Sequence, residues 1–189
     1  MNGGFSSSVQ PTGRIRGMIP RSAVGTLKDL ASGSRVTVEI GAGTGVICGA
    51  LFRARCDVIA FELCTDSVGH IRRSLPGVDC VQAHPRELPL RPEAVDLVIV
   101  NEMSGARDSL RSIRDELRRV LSAQGLVAQV ARIEGDIEGD NETDPTSESG
   151  DDDDSGVWEL VESHRFDGDG TYVALAIRIW RVRDEMRRT

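Results

Sequence analysis

The chain has 189 residues, 39% of them hydrophobic and only 4% aromatic, with a formal net charge of −7, which suits one domain with a core of Val, Leu, Ile and Ala. It has no apolar run near the roughly 18 residues of a membrane span, and its opening stretch, MNGGFSSSVQPTGRIRGMIP, lacks the continuous apolar region of a secretory signal. The four scattered cysteines (Cys48, Cys56, Cys64 and Cys80) form no CxxC pair, which argues against a zinc site or a disulfide framework and fits free thiols in a reducing cytoplasm.

Residues 1–19, rich in Gly, Ser and Pro, read as a flexible tail. Val24, Leu27, Leu30 and Ala31 have helical spacing and predict a helix over 20–31, stopped by Ser32-Gly33-Ser34. A strand at 35–40 runs into a glycine turn, from which a helix at 46–53 starts. A strand follows at 57–62, a helix at 67–75 stopped by Pro76-Gly77, and strands at 78–83 and 95–101. Leu110, Ile113, Leu117, Val120 and Leu121 make the apolar stripe of a helix predicted over 108–122, which Gln124-Gly125 is expected to end before a strand at 126–133. Then comes an acidic segment. Residues 134–154 hold 11 acidic residues and no basic one, so the rest of the chain carries 23 basic against 19 acidic. With little to bury, residues 134–156 are expected to be a disordered insertion. VWELVESHRF and TYVALAIRIW flank DGDG and predict an antiparallel hairpin, with Val173, Leu175, Ile177 and Ile179 on one face. Residues 182–189 read as a second tail, leaving one domain over 20–181. Strands alternating with helices, and apolar throughout, predict an α/β fold: a doubly wound, mostly parallel sheet closed by that hairpin.

The stretch VTVEIGAGTGVICGALF places glycines at alternate positions 41, 43 and 45, between a strand and a helix. A helix N-terminus exposes unpaired N–H groups and partial positive charge, and glycine lets a ligand lie on the turn. In an open parallel sheet, ligands sit at the carboxyl ends of the strands near the switch in strand order. The dinucleotide pattern GxGxxG does not fit, because its third glycine would fall at Val46. Glu62, at the end of the second strand and 17 residues after Gly45, is either an acceptor for both ribose hydroxyls or a solvated strand end.

EIGAGTG, FE, ELPL, VDLVIVNEM and LRRVLSAQGLVAQV, in that order and spacing, resemble the class I S-adenosylmethionine-dependent methyltransferases of the broad small-domain type, over about 36–133. The resemblance implies S-adenosyl-L-methionine as the cofactor. It places Glu39 near the amino group of the methionine part and Gly41, Ala42, Gly43 and Gly45 beneath the methionine and ribose. It puts Glu62 on the ribose diol, Leu63 beside the adenine, and Asn101 at the end of the fourth strand, by the cofactor. Two places depart from the family. Ala123-Gln124 replaces a usual Pro-Gly. His84-Pro85 stands where an aspartate normally accepts from the adenine amino group and the next residue's N–H donates to the ring. Proline has no N–H to give, and His84 either accepts through one ring nitrogen or is a loop histidine without a ligand.

Methyl transfer is an in-line displacement in which holding the partners in line supplies much of the acceleration, so a general base is optional. Glu102 is the catalytic candidate, its alternative being a loop carboxylate facing water. No N-P-P-Y motif or Pro-Cys pair points to a nucleobase acceptor, and no metal constellation is visible. Arg107, Arg111, Arg114 and Arg118 line one helix face, as a phosphate stripe or as a solvated face assisted by pairs such as Asp115 with Arg119. Lys28 is the sole lysine, an arginine bias that suits a salt-adapted or GC-rich source. The expectation is a cytoplasmic methyltransferase acting on a small molecule, with nucleic acid and membrane disfavoured as partners. Its alternatives are a non-catalytic cofactor-binding module, an RNA methyltransferase and, against the glycine spacing, a nicotinamide-dependent oxidoreductase.

Overall fold

The β-branched runs that precede each polar turn form the strands of a seven-stranded sheet. The structure, a computed structural model, describes residues 19–102, 109–133, 157–167 and 174–183. Strands β1 (Thr37–Ile40), β2 (Ile59–Glu62), β3 (Asp79–Gln82), β4 (Val95–Glu102) and β5 (Leu121–Arg132) are parallel. β6 (Trp158–Phe166) and β7 (Leu175–Val182) complete the order β3-β2-β1-β4-β5-β7-β6, with β7 antiparallel to both its neighbours. The chain winds outward from β1 to β3 and then returns to place β4 on the other side of β1. The switch point therefore lies between β1 and β4, where a ligand crevice is expected.

Alternation along the strands sorts the core into two layers. Ala60, Leu97, Ile99, Ala128, Val130 and Ile177 face α1 (Arg21–Ser32), α2 (Val46–Arg53) and α3 (Thr65–Ser74). Val38, Ile40, Val98, Val100, Val127 and Trp180 face the opposite layer, which holds α4 (Ser109–Ser112) and α5 (Arg114–Val120). The doubly wound sheet and its antiparallel edge are as the sequence predicts. No described helix is long and apolar enough to cross a membrane.

One element differs. The single helix predicted over 108–122 is two short helices, and β5 begins at Leu121 rather than Leu126. Leu121 pairs with Val95, and pairing resumes with Leu126 opposite Leu97, so residues 122–125 bulge out opposite Asp96 alone. The Gln124-Gly125 turn is present, but inside a strand. A Cβ at Gly125 would lie 3.0 Å from the carbonyl oxygens of both Ser122 and Val95, which leaves room for no side chain. Leu121 extends the helical spacing because it is buried, like Ile113, Leu117 and Val120 before it, at the start of β5. The expected tail over 1–19 (all but Ile19), the acidic insertion, Gly168–Gly170 of the turn, Val173, Arg107 and the tail beyond residue 183 lie outside the described residues.

Candidate functional site

β1 ends at Ile40, and the chain turns through Gly41, Gly43 and Gly45 with φ of +76°, +56° and +82°. All three occupy the left-handed region, where a side chain is strained. Their surroundings differ. A Cβ on Gly41 would stand 3.1 Å from the Asn101 carbonyl oxygen, and one on Gly45 would stand 2.8 Å from Leu75 Cδ1 and 3.2 Å from Ile71 Cγ1. Gly41 and Gly45 thus leave room for the protein's own strand end and helix. At Gly43 nothing stands nearer than the Gly41 carbonyl oxygen at 4.0 Å, and this position of the turn faces open space. Ala42 is buried, its N–H donating to the Phe61 carbonyl.

Two carboxylates flank the turn on the α1–α3 face. Glu39 has no exposed surface. Its Oε2 accepts from the Cys48 N–H at 2.9 Å and its Oε1 from Asn101 Nδ2 at 3.0 Å. Burial pushes its carboxyl up to about 7, against the hydrogen bonds from Asn101 and Cys48 that favour ionisation. Burial likewise raises the Cys48 thiol, with the neighbouring Glu39 adding to the effect. Glu62 binds the turn to β2: its Oε2 accepts from Gly43 N–H at 2.7 Å, while Oε1 accepts from Leu63 and Cys64 N–H at 2.8 and 3.0 Å. Backbone amides therefore fill three of about four acceptor positions. The sequence leads to the expectation of a carboxylate open to both ribose hydroxyls. In the structure one position remains, on Oε2. Leu63 stands 54% exposed beside it.

The exit of β3 is tied to the exit of β2. Ala83 N–H donates to the Glu62 carbonyl at 3.1 Å, and Gln82 Nε2 donates to the Leu63 carbonyl and Thr65 Oγ1 at 3.1 and 3.0 Å. Gln82, which links the two strand exits, is a residue the sequence did not single out. Its one legible signal was a polar side chain at a strand end. His84 follows in a turn where Nδ1 accepts from Arg86 N–H at 3.2 Å and the His84 carbonyl accepts from Glu87 N–H at 2.9 Å.

Glu102 is separate from this group. Being one residue beyond Asn101, it faces the α4–α5 layer and is buried. Its Oε1 accepts from Leu110 N–H at 3.2 Å and its Oε2 from Gln129 Nε2 at 2.8 Å, and Gln129 in turn accepts from Trp180 Nε1 at 3.2 Å. The structure gives Glu102 hydrogen-bonded partners inside the core rather than a place with the turn. The expected Asp115–Arg119 pair is replaced by Glu116–Arg119 at 2.6 Å, with Arg119 also donating to the Leu88 and Leu90 carbonyls at 3.1 and 2.7 Å. A cavity of about 180 Å³ lined by Arg35, Thr37, Phe52, Asp57 and Asp79 opens at the other edge of the sheet and includes none of the site residues.

The glycine turn, Glu39, Asn101, Glu62, Leu63 and His84 all lie towards the carboxyl ends of β1–β4, and Gly43 is the glycine of the turn that faces open space. A family model described as a methyltransferase domain matches residues 38–129. An uncharacterised methyltransferase of Mycobacterium tuberculosis is 30% identical over 126 residues, or 67% of this chain and 51% of that protein. The chain spans about half the length of the curated relatives it matches. A SAM-dependent methyltransferase from Aquifex aeolicus superposes with a TM-score of 0.58 at 16% identity, over 86% of this chain and 90% of that one. The Pyrococcus abyssi tRNA (uracil-54, C5)-methyltransferase, in complex with S-adenosyl-L-homocysteine, does so with a TM-score of 0.59 at 15% identity, over 85% of this chain and 37% of that one. Identities this low establish a shared fold and nothing about the acceptor.

Proposed function

Residues 38–129 belong to the methyltransferase-domain family, and from that premise we propose that the chain is an S-adenosylmethionine-dependent methyltransferase acting on a small-molecule acceptor. The observation that supports this most is the open Gly43 position, held against Glu62 and backed by Glu39. It is a surface shaped for a nucleoside that carries a charged tail. In this reading the sugar lies over Gly43, one hydroxyl donates to the free position on Glu62 Oε2, and the base extends over Leu63. Glu39 and Asn101 lie behind the turn for the ammonium group. A cation there draws the Glu39 carboxyl back towards its ionised form. The bound cofactor supplies an activated methyl group on a sulfonium. The protein's task is to hold that group in line with the acceptor atom, a positional effect that needs no base. The buried, bonded Glu102 fits catalysis by positioning better than by proton abstraction.

The small-molecule reading is supported by the net charge of −7 and its concentration in residues 134–154, which disfavour a polyanionic partner. Incubating the protein with a cell extract and a methyl-labelled donor tests it. The expected outcome is label in a small-molecule product and none in the RNA fraction. Label in RNA would overturn the acceptor class, and cofactor binding without any transfer would favour the non-catalytic module.

A further inference from the structure

We propose that His84 reads the purine of the bound nucleoside as a hydrogen-bond donor, so that the site accepts a 6-oxo base about as well as a 6-amino base. This rests on the nucleoside reading above. With the sugar at Glu62 and its 5′ side towards Gly43, the base lies on the far side of the sugar, over the exposed Leu63 and towards the exit of β3. Ala83 N–H on the Glu62 carbonyl and Gln82 on the Leu63 carbonyl fix those two exits together.

What the exit of β3 can offer the base follows from its own hydrogen bonds. Pro85 has no N–H. The next two amides are consumed within the turn, Arg86 by His84 Nδ1 and Glu87 by the His84 carbonyl. Because Nδ1 accepts, the ring proton resides on Nε2. The turn thus presents one ring N–H, on an exposed side chain, and its imidazole has no acceptor left. A donor there can bond a ring nitrogen of adenine or the 6-oxygen of hypoxanthine. A carboxylate at the same place accepts from the 6-amino group and meets only lone pairs on a 6-oxygen, so it favours the amino base.

The test is calorimetric titration of the full chain with S-adenosylhomocysteine and S-inosylhomocysteine, on wild type, His84→Asp and His84→Leu. The aspartate keeps the turn, because its carboxylate can accept the Arg86 amide, but replaces the donor by an acceptor. The wild type is expected to bind both ligands within about threefold. His84→Asp is expected to favour the 6-amino ligand by about tenfold or more, and His84→Leu to weaken both alike. A wild-type preference for the amino base beyond about tenfold, or an unchanged ratio in His84→Asp, would overturn the proposal. Binding of neither ligand to the wild type would instead overturn the cofactor reading on which it rests.

Discussion

Glu39 is a carboxyl with no solvent contact whose burial lifts its pKa from 4.5 to about 7. Between those values the folded chain binds a proton that the unfolded chain does not. Its contribution to stability is therefore greatest below about pH 4.5 and is lost as pH rises through about 7, a change of about 3 kcal/mol. Urea unfolding between pH 5 and 8 should show this fall in the wild type and a much smaller one in Glu39→Gln, where Asn101 can turn its amide to match. Equal slopes would contradict the assignment. The glycines make a second prediction. Gly45→Ala forces both a left-handed alanine and a 2.8 Å contact with Leu75, and should cost about 2 kcal/mol or more. Gly43→Ala meets open space and should cost only about 1 kcal/mol, from backbone strain alone. Thermal unfolding of the two variants checks the order, and a larger loss at Gly43 would contradict it. The alternate glycines were legible in the sequence as a special backbone. Which of them faces a ligand was not, because the side chains that crowd Gly45 come from Ile71 and Leu75, far along the chain.

Among the elements, periodicity locates the strands other than β5 to within a few residues and misjudges the passage from α5 to β5. The Gln124-Gly125 signal predicts a helix stop and belongs instead to a bulge of β5. A turn signal marks a backbone irregularity without saying which element contains it. Asp96 fastens this edge: its Oδ2 accepts from the Arg35 and Val36 amides at 3.0 and 3.2 Å, and its Oδ1 accepts from Ser122 Oγ at 2.9 Å. Gly125→Ala should lower stability by about 1–3 kcal/mol, since the new methyl meets two carbonyl oxygens and Leu121 Cδ2 at 2.8 Å. The urea midpoint should fall with an unchanged slope. An unaltered midpoint would show that the bulge tolerates a side chain. The pairing of Glu102 with Gln129 and Trp180 was equally hidden, because it joins three strands through register that no local pattern encodes.

For the whole molecule, topology constrains the acidic connection. β5 ends level with Leu175, whereas β6 starts level with Val182. Residues 134–156 must therefore join points separated by roughly 23 Å along the strands, at about 3.3 Å per residue. Joining Ile133 directly to Val157 cannot bridge that distance. A neutral linker of about a dozen residues can. Such a variant should unfold cooperatively near the wild-type temperature. It should also be retained on heparin, because removing the 11 acidic residues of 134–154 leaves 23 basic against 19 acidic. Loss of folding with a linker of adequate length would show that the segment contributes to the core. Calorimetric titration with S-adenosylhomocysteine, with NAD as the comparison, tests whether a nucleoside lies across the turn at Gly43. Saturable binding of one S-adenosylhomocysteine per chain is expected, weakened by about tenfold or more in Gly43→Ala, with no heat from NAD. Binding of NAD alone, or full S-adenosylhomocysteine affinity in Gly43→Ala, would contradict that placement.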